Sequence, residues 1–206
     1  MTYVDLFLEN VKKKVINLSH EHISLFIMLT LEKMSPAYKI FYEKENWGNL
    51  QLLNDIVHVF KNEALNETLS KKDLRKIIKQ VGDICPDLDE FETIIASFAR
   101  DSCLAYYSAV LFLMSNKIED LVDVIVISID TIDMYVNVTE DPDFTKNLTE
   151  EEIEKNEFMQ RELKRQLIFL DKLEITKKIS AEIIDEMREL NDSYGEMINL
   201  KLITER

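Results

Sequence analysis

Ile95–Met114 reads IASFARDSCLAYYSAVLFLM and Lys117–Val136 reads KIEDLVDVIVISIDTIDMYV, with only Ser115-Asn116 between them. This pair, within the stretch Leu88–Val138, decides how the chain folds. Each half is apolar around most of a helical circumference, more than a surface helix carries, so the two are expected to form a buried helical hairpin. Charges interrupt it: Arg100 and Asp101 in the first arm, Asp123, Asp130 and Asp133 in the second. A charge on a buried helix is costly unless paired, so these five residues mark either a structural network or a site. If the arms run antiparallel about Ser115-Asn116, residues whose numbers sum to about 231 lie side by side. Arg100 is then level with Thr131, within one turn of Asp130 and Asp133, and Ser108 is level with Asp123. An ion pair from Arg100 to Asp130 or Asp133 is expected. Its plain role is to fix the register of the hairpin. The functional alternative is a carboxylate-lined pocket at the open end of the hairpin, taking a cation or a basic side chain.

The residues on either side of the hairpin repeat the helical pattern. Val4, Phe7, Leu8, Val11 and Val15 fall on one face of a first helix. A second begins after Ser19 and ends at Ser35-Pro36. Ser35 and Pro36 then read as cap and first position of a third, which ends near Asn46-Trp47-Gly48. A fourth covers about 50–65. Ser70 and Asp73 open a fifth, whose outer face carries Lys71, Lys72, Arg75, Lys76 and Lys79. The hairpin itself is expected to start at Asp87-Leu88-Asp89-Glu90, with negative charge where a helix N-terminus favours it. Thr139 to Thr149 has no periodicity and reads as a crossing loop. Thr149 with Glu152 forms a capping box, opening a helix with Ile153, Met159, Leu163, Leu167 and Leu170 on one face. Another helix starts near Ser180, and Met197–Ile203 is a short apolar tail that packs back. The expected architecture is all-α: a single-domain bundle of eight or nine helices (residues 1–206) around the hairpin 88–138, with C-terminal helices over 149–203.

Composition agrees with that class. The 206 residues are 46% hydrophobic and 31% charged, with only three glycines and three prolines, too few breakers for sandwiches, barrels or glycine-rich nucleotide folds. The formal net charge is −14, and it is unevenly spread: about +1 over residues 1–86, −8 over 87–139 and −7 over 140–206 by the same count. Such a field repels phosphate backbones and anionic membranes and favours a basic protein partner. Glu119, Asp120, Asp123, Glu150, Glu151 and Glu154 are the candidate acidic surface. The basic face over 71–79 lacks interleaved aromatics and reads as solvated rather than as a nucleic-acid site. Cys85 and Cys103 are too far apart in sequence for a Cys-x-x-Cys site, which suits a reducing compartment. With basic residues following the apolar ones at the N-terminus, and no uncharged run of about 18 apolar residues, neither a signal peptide nor a membrane span is expected. The expected location is the cytoplasm.

Two blocks carry a family resemblance. HISLFIMLTLEKMSPAYKIFYEKENWGN (22–49) leads an aromatic-rich helix into a Met-x-Pro-x-Tyr turn, and DLDEFETIIASFARDSCLAYYSAVLFL (87–113) is followed by VISIDTIDMYV (126–136). Together they resemble the YjaG-like bacterial family of unknown function, over roughly residues 19–195. The resemblance implies a helical, cytoplasmic, bacterial protein and supplies no catalytic or ligand residues.

No catalytic signature stands out. There is no Gly-x-x-x-x-Gly-Lys, Gly-x-Gly-x-x-Gly, His-Glu-x-x-His or Gly-x-Ser-x-Gly. His20 and His22, two residues apart on a helix, point in divergent directions and make a poor metal pair. Asp55 and His58 share a face, but a di-iron bundle needs that pair twice. No catalytic residue, metal ligand or cofactor is assigned. The leading expectation is a non-enzymatic binding protein, such as an immunity protein that neutralises a basic toxin domain through its acidic surface. A regulatory accessory of a signalling system, binding a small ligand or a kinase, comes second. A metal-dependent enzyme is third, and a homodimer is compatible with each.

Overall fold

The computed structural model describes residues 2–142 and 145–204. Among these residues there are ten helices and no strand: α1 (Tyr3–Val15), α2 (His20–Glu45), α3 (Leu50–Ala64), α4 (Lys71–Asp83), α5 (Ile94–Ser115), α6 (Ile118–Glu140), α7 (Glu150–Lys155), α8 (Glu157–Ile175), α9 (Ala181–Ser193) and α10 (Leu200–Thr204). One hydrophobic cluster runs through the bundle, with buried side chains from α1 to α10. No described helix is long and apolar enough to cross a membrane.

The expected hairpin is present as α5 and α6. Asn116 reverses the chain in the left-handed conformation, at φ 54°, and its N–H donates to the Phe112 carbonyl at 2.7 Å. Asn tolerates this region better than most residues because its short polar side chain bonds locally. The first arm begins later than expected. Thr93 caps α5 by accepting from the Ala96 N–H at 3.4 Å. Asp87–Glu90 instead folds as a turn closed by the Asp87 carboxylate on the Asp89 N–H at 3.0 Å. Nor is the hairpin buried all round: Leu104 and Tyr107 of α5 are 40% and 37% exposed, and Arg100, Glu119, Asp123 and Asp130 face outward.

The segment enclosed on every side is the first half of α2. Each residue from Ile23 to Leu31 is buried, and the helix packs against α3, α5, α6, α8 and α9. Two helices were expected here, divided at Ser35-Pro36, but one continuous helix carries Pro36 inside it. Proline deletes the N–H that would have bonded the Glu32 carbonyl. The Ser35 hydroxyl donates to that carbonyl at 3.2 Å and replaces the lost bond. Leu31, Met34, Ala37, Tyr38 and Phe41, all buried, keep the apolar face continuous across the proline. Asn46 ends α2 at φ 49°, and Gly48 turns the chain at φ 97°.

On the C-terminal side one expected helix is two. Thr149 and Glu152 form the expected capping box, but the chain leaves helical geometry at Asn156 (ψ 141°), whose side chain caps α8 by accepting from the Phe158 N–H at 2.9 Å. Within the preceding loop, the Asp141 carboxylate accepts from the N–H groups of Thr145, Lys146 and Asn147 at 2.8, 2.8 and 3.0 Å. Asp143 and Phe144 of that loop lie outside the described residues. The apolar tail packs back as expected, with Met197, Ile198, Leu200 and Ile203 buried.

Candidate functional site

The expected Arg100 ion pair does not form. Arg100 is exposed, and among the described residues no ion pair joins it to Asp130 or Asp133. The antiparallel register is close to the expected one, but the helix phase differs by one residue. Thr131 Oγ1 donates to Asp101 Oδ2 at 3.2 Å, so Asp101 faces α6. A step of one residue turns a helix about 100°, which carries Arg100 off the interface. Burial pushes the Asp101 carboxyl up to about 6. The bond from Thr131 opposes that rise, Asp130 adds to it, and Arg100 opposes it.

Asp130 and Asp133 instead join a different set of residues. At the open end of the hairpin, α6, α7 and the start of α1 enclose a groove of about 300 Å³. Asp130 and Asp133 from α6, Glu150 and Glu154 from α7, and Asp5 from α1 line it, with Ile129, Ile153 and Met159 as its apolar floor. The local sequence explains why these elements meet. Glu154 Oε1 accepts from the Val4 N–H at 2.9 Å, pinning α7 to the free N–H groups of the first turn of α1. Thr2 and Asp5 form a capping box, and the Thr2 backbone and side-chain bonds hold the Asp5 carboxyl below its usual range. Asp133 Oδ1 accepts from Asn137 Nδ2 at 2.7 Å. Although Asp130 keeps an exposed edge, partial desolvation in the groove raises its carboxyl, and so does the Asp133 charge. Burial also raises Asp133; its bond from Asn137 opposes this and the Glu150 charge adds to it. Among the described residues no ion pair engages any of the five carboxylates, and no lysine or arginine lines the groove.

The other acidic candidates lie outside it. Glu151 is exposed and pairs with Lys155 at 2.5 Å. Asp120 bonds the Ser115 hydroxyl beside the hairpin tip. Glu119 and Asp123 are exposed on α6 and share a helical stripe with Asp130 and Asp133. The stripe runs roughly 21 Å from Glu119 to Asp133 at 1.5 Å per residue. The acidic face is therefore one helix side ending in a groove.

A second polar cluster, not anticipated from the sequence, lies in the core. Arg165 is 1% exposed and Glu162 4%. Arg165 donates to Glu162 through Nε at 2.7 Å and Nη2 at 2.5 Å, and through Nη1 to Asn191 Oδ1 at 3.0 Å. Asn191 Nδ2 donates to the Leu29 carbonyl at 2.9 Å. Gln166 Nε2 donates to Glu162 at 2.7 Å and to Ser128 Oγ of α6 at 2.9 Å. Burial raises the Glu162 carboxyl, but the Arg165 charge and the bonds from Arg165 and Gln166 outweigh it and hold Glu162 below its usual range. The cluster ties α2, α6, α8 and α9 together and holds α6 in place, so its role is structural. The sequence does carry a signal for it: Met159, Leu163, Gln166, Leu170 and Leu173 are spaced by four, three, four and three, which puts Gln166 at the centre of the apolar stripe.

The histidines are occupied separately. His20 meets Asn116 Oδ1 at 3.1 Å and Glu63 Oε2 at 3.3 Å, while His22 Nε2 meets the Thr176 carbonyl at 2.8 Å. Asp55 accepts from Gln51 at 2.7 Å, and His58 is exposed beside it. Among the described residues no three His, Cys, Asp or Glu are grouped to hold a metal ion.

A family model described as "Protein of unknown function (DUF416)" matches residues 10–200. The chain belongs to the DUF416 family. A crystal structure of a DUF416 family protein from Shewanella baltica OS155 superposes with a TM-score of 0.77 at 22% sequence identity, covering 91% of this chain and 96% of that one. At that identity the likeness speaks for the fold. No curated protein matches the chain. The family resemblance read from the two sequence blocks agrees at the level of a helical family of unknown function, and the YjaG-like label goes beyond these matches.

Proposed function

We propose that this DUF416 protein is a non-catalytic binding protein that holds a basic segment of a protein partner in the groove between α1, α6 and α7. An immunity protein that covers a basic toxin domain in the cytoplasm is the form that fits size and charge best. One observation carries the reading: Asp5, Asp130, Asp133, Glu150 and Glu154 converge on one concave surface with no described cation facing them. Asp130 and Asp133, raised by burial and by neighbouring carboxylates, gain most when a lysine or arginine enters, because the incoming charge relieves both penalties. The exposed stripe of Glu119 and Asp123 extends the same field and would steer a basic partner toward the groove.

The test is co-expression with the products of neighbouring genes, followed by titration of the purified complex against salt. Support would be capture that weakens steeply between low and high salt and is lost in an Asp130→Asn, Asp133→Asn, Glu150→Gln variant. Equal capture by that variant, or affinity indifferent to salt, removes the proposal. The groove's volume also lies at the small end of the range for small-molecule sites. A cationic small molecule bound by a regulatory accessory protein is therefore the second reading, and it would appear as a ligand retained in native mass spectra.

A further inference from the structure

We propose that α4, α5 and α6 present a self-complementary face, on which two copies of this chain associate about a two-fold axis running along α5. Across this face the surface is basic, then apolar, then acidic. Ser102 of α5 donates to the Met34 carbonyl of α2 at 2.8 Å, so the opposite side of α5 looks outward. Leu104 and Tyr107 are exposed there, with Leu111 half-buried next to them. On one side of this stripe lies α4, where the Cys103 thiol donates to the Ile84 carbonyl at 3.7 Å. On the other lies α6, where Thr131 bonds Asp101. Ile77 and Gln80 of α4 turn toward α3 and line a groove with it, so Lys71, Arg75 and Lys79 project from the opposite flank, all exposed. Ser128 of α6 turns to the core, bonded to Gln166, and Glu119 and Asp123 project from the other side. Lys76 pairs with Asp73 at 3.2 Å, but among the described residues no ion pair engages Lys71, Arg75, Lys79, Glu119 or Asp123.

In a two-fold interface residue i meets residue j and j meets i, so the charges must match in position as well as in sign. They do. The Thr131–Asp101 bond puts α5 and α6 residues level where their numbers sum to about 232. Ile84 is level with Cys103. At the other end of α4, Glu63 accepts from the Leu69 N–H at 3.0 Å and meets His20, which also meets Asn116. The start of α4 therefore lies beside the hairpin tip, and α4 and α5 residues are level where their numbers sum to about 187. Arg75 and Glu119 both fall level with Phe112 and Leu113, and Lys79 and Asp123 with Ser108 and Ala109. Within one chain α5 separates the two rows by two interaxial distances, roughly 16–20 Å. Rotation about an axis along α5 exchanges the flanks without changing the level. It sets Arg75 and Lys79 of each copy against Glu119 and Asp123 of the other, with Leu104 and Tyr107 of both copies at the centre. An axis across α5 would set like charges together, so the charge pattern selects the first arrangement. Arg100 meets its own counterpart near the axis, and Asp130, within one turn of the same level, offsets that repulsion. The face is roughly 20 Å along α5 and about 20 Å wide, at the small end of specific interfaces, which fits a reversible, micromolar dimer. The acidic groove opens on the α1 and α7 side of α6 and stays free. In the dimer Glu119 and Asp123 are covered, and the groove carboxylates alone supply its field.

Sedimentation equilibrium of the purified full-length chain, between about 5 and 200 μM at low salt, should show a monomer–dimer equilibrium that goes no further. Leu104→Asp, at a position already open to solvent, should leave a monomer with unchanged helical circular dichroism. An Arg75→Glu, Lys79→Glu variant and a Glu119→Lys, Asp123→Lys variant should each dimerise at least tenfold more weakly than the parent, because each sets like charges together on both flanks. Mixed in equal amounts, the two should form a heterodimer of parental affinity, identified by its mass in native spectra, since each row again meets its opposite. A parent that stays monomeric at the highest concentration, assembly that continues beyond two copies, a dimer indifferent to Leu104→Asp, or charge-reversed variants that fail to complement each other would each overturn the proposal.

Discussion

Asp101 should make the protein less stable as pH rises through the mildly acidic range, and Asp101→Asn should abolish that slope. An ordinary aspartate titrates near 3.8, whereas burial lifts this one to about 6. Between those values the folded state holds a proton that the unfolded chain has released, so stability is highest below the unfolded value and falls as pH rises to the folded one. At 1.36 kcal/mol per tenfold change in proton affinity, the full difference corresponds to ~3 kcal/mol. Asp101 keeps some contact with solvent, and screening there cuts the figure to about 1–2 kcal/mol. Asparagine keeps an acceptor for the Thr131 hydroxyl and needs no proton. Urea unfolding of both proteins at intervals from pH 4 to 8 gives the difference directly. Subtraction removes the background from Asp130 and Asp133, which slope the same way, and from Glu162, which slopes the other way. Asp101→Asn should match the parent near pH 4 and exceed it by about 1–2 kcal/mol above pH 7. Parallel curves, or a parent that gains relative to the variant as pH rises, would refute the argument that Asp101 is the buried carboxylate of the hairpin.

The remaining expectations concern the scaffold. Arg165→Met should cost about 3–5 kcal/mol in urea unfolding, because it leaves the buried Glu162 charge without its partner, and adding Glu162→Leu should recover much of that loss. Gly48→Ala should destabilise by more than about 1 kcal/mol, since a Cβ there would overlap the Tyr38 hydroxyl in a left-handed backbone that alanine disfavours. The Tyr38 hydroxyl also bonds the Ile84 carbonyl at 3.2 Å and the Asn49 N–H at 3.1 Å, so thermal melts should register its displacement. Ser35→Ala should cost about 0.5–1.5 kcal/mol by stranding the Glu32 carbonyl, while Pro36→Ala, which restores an N–H to that carbonyl, should make the same serine change nearly neutral.

The helices were legible because amphipathic spacing and capping residues act locally. Ser70 and Thr149 each accept the N–H they were expected to, and the helix expected near Ser180 does start there. What escaped depends on what a side chain does in three dimensions. Pro36 reads as a boundary until the Ser35 hydroxyl is seen on the Glu32 carbonyl, and Asn156 reads as an ordinary helical residue until its side chain caps α8. Arg100 and Asp101 differ by a rotation of a single residue, which a register estimate good to one position cannot resolve. Of the acidic candidates, Asp130, Asp133, Glu150 and Glu154 meet in the groove. They meet because α6 packs directly on α7, and the Glu154 bond to the start of α1, between residues 150 positions apart, brings in Asp5.

The tip of the hairpin has a kinetic consequence. Ser115 to Lys117 is so short a link that bringing α5 against α6 forfeits almost no chain entropy. By contrast, joining α1 to α7 and α8 requires most of the chain to be gathered first. Contacts formed cheaply form early, so the transition state for folding should already contain the packed α5–α6 pair, and α1 should dock last. Conservative truncations inside the hairpin, such as Val110→Ala, should slow folding; Val11→Ala in α1 should act almost wholly by speeding unfolding. The acidic groove would then be the last part of the molecule to assemble and the first to open.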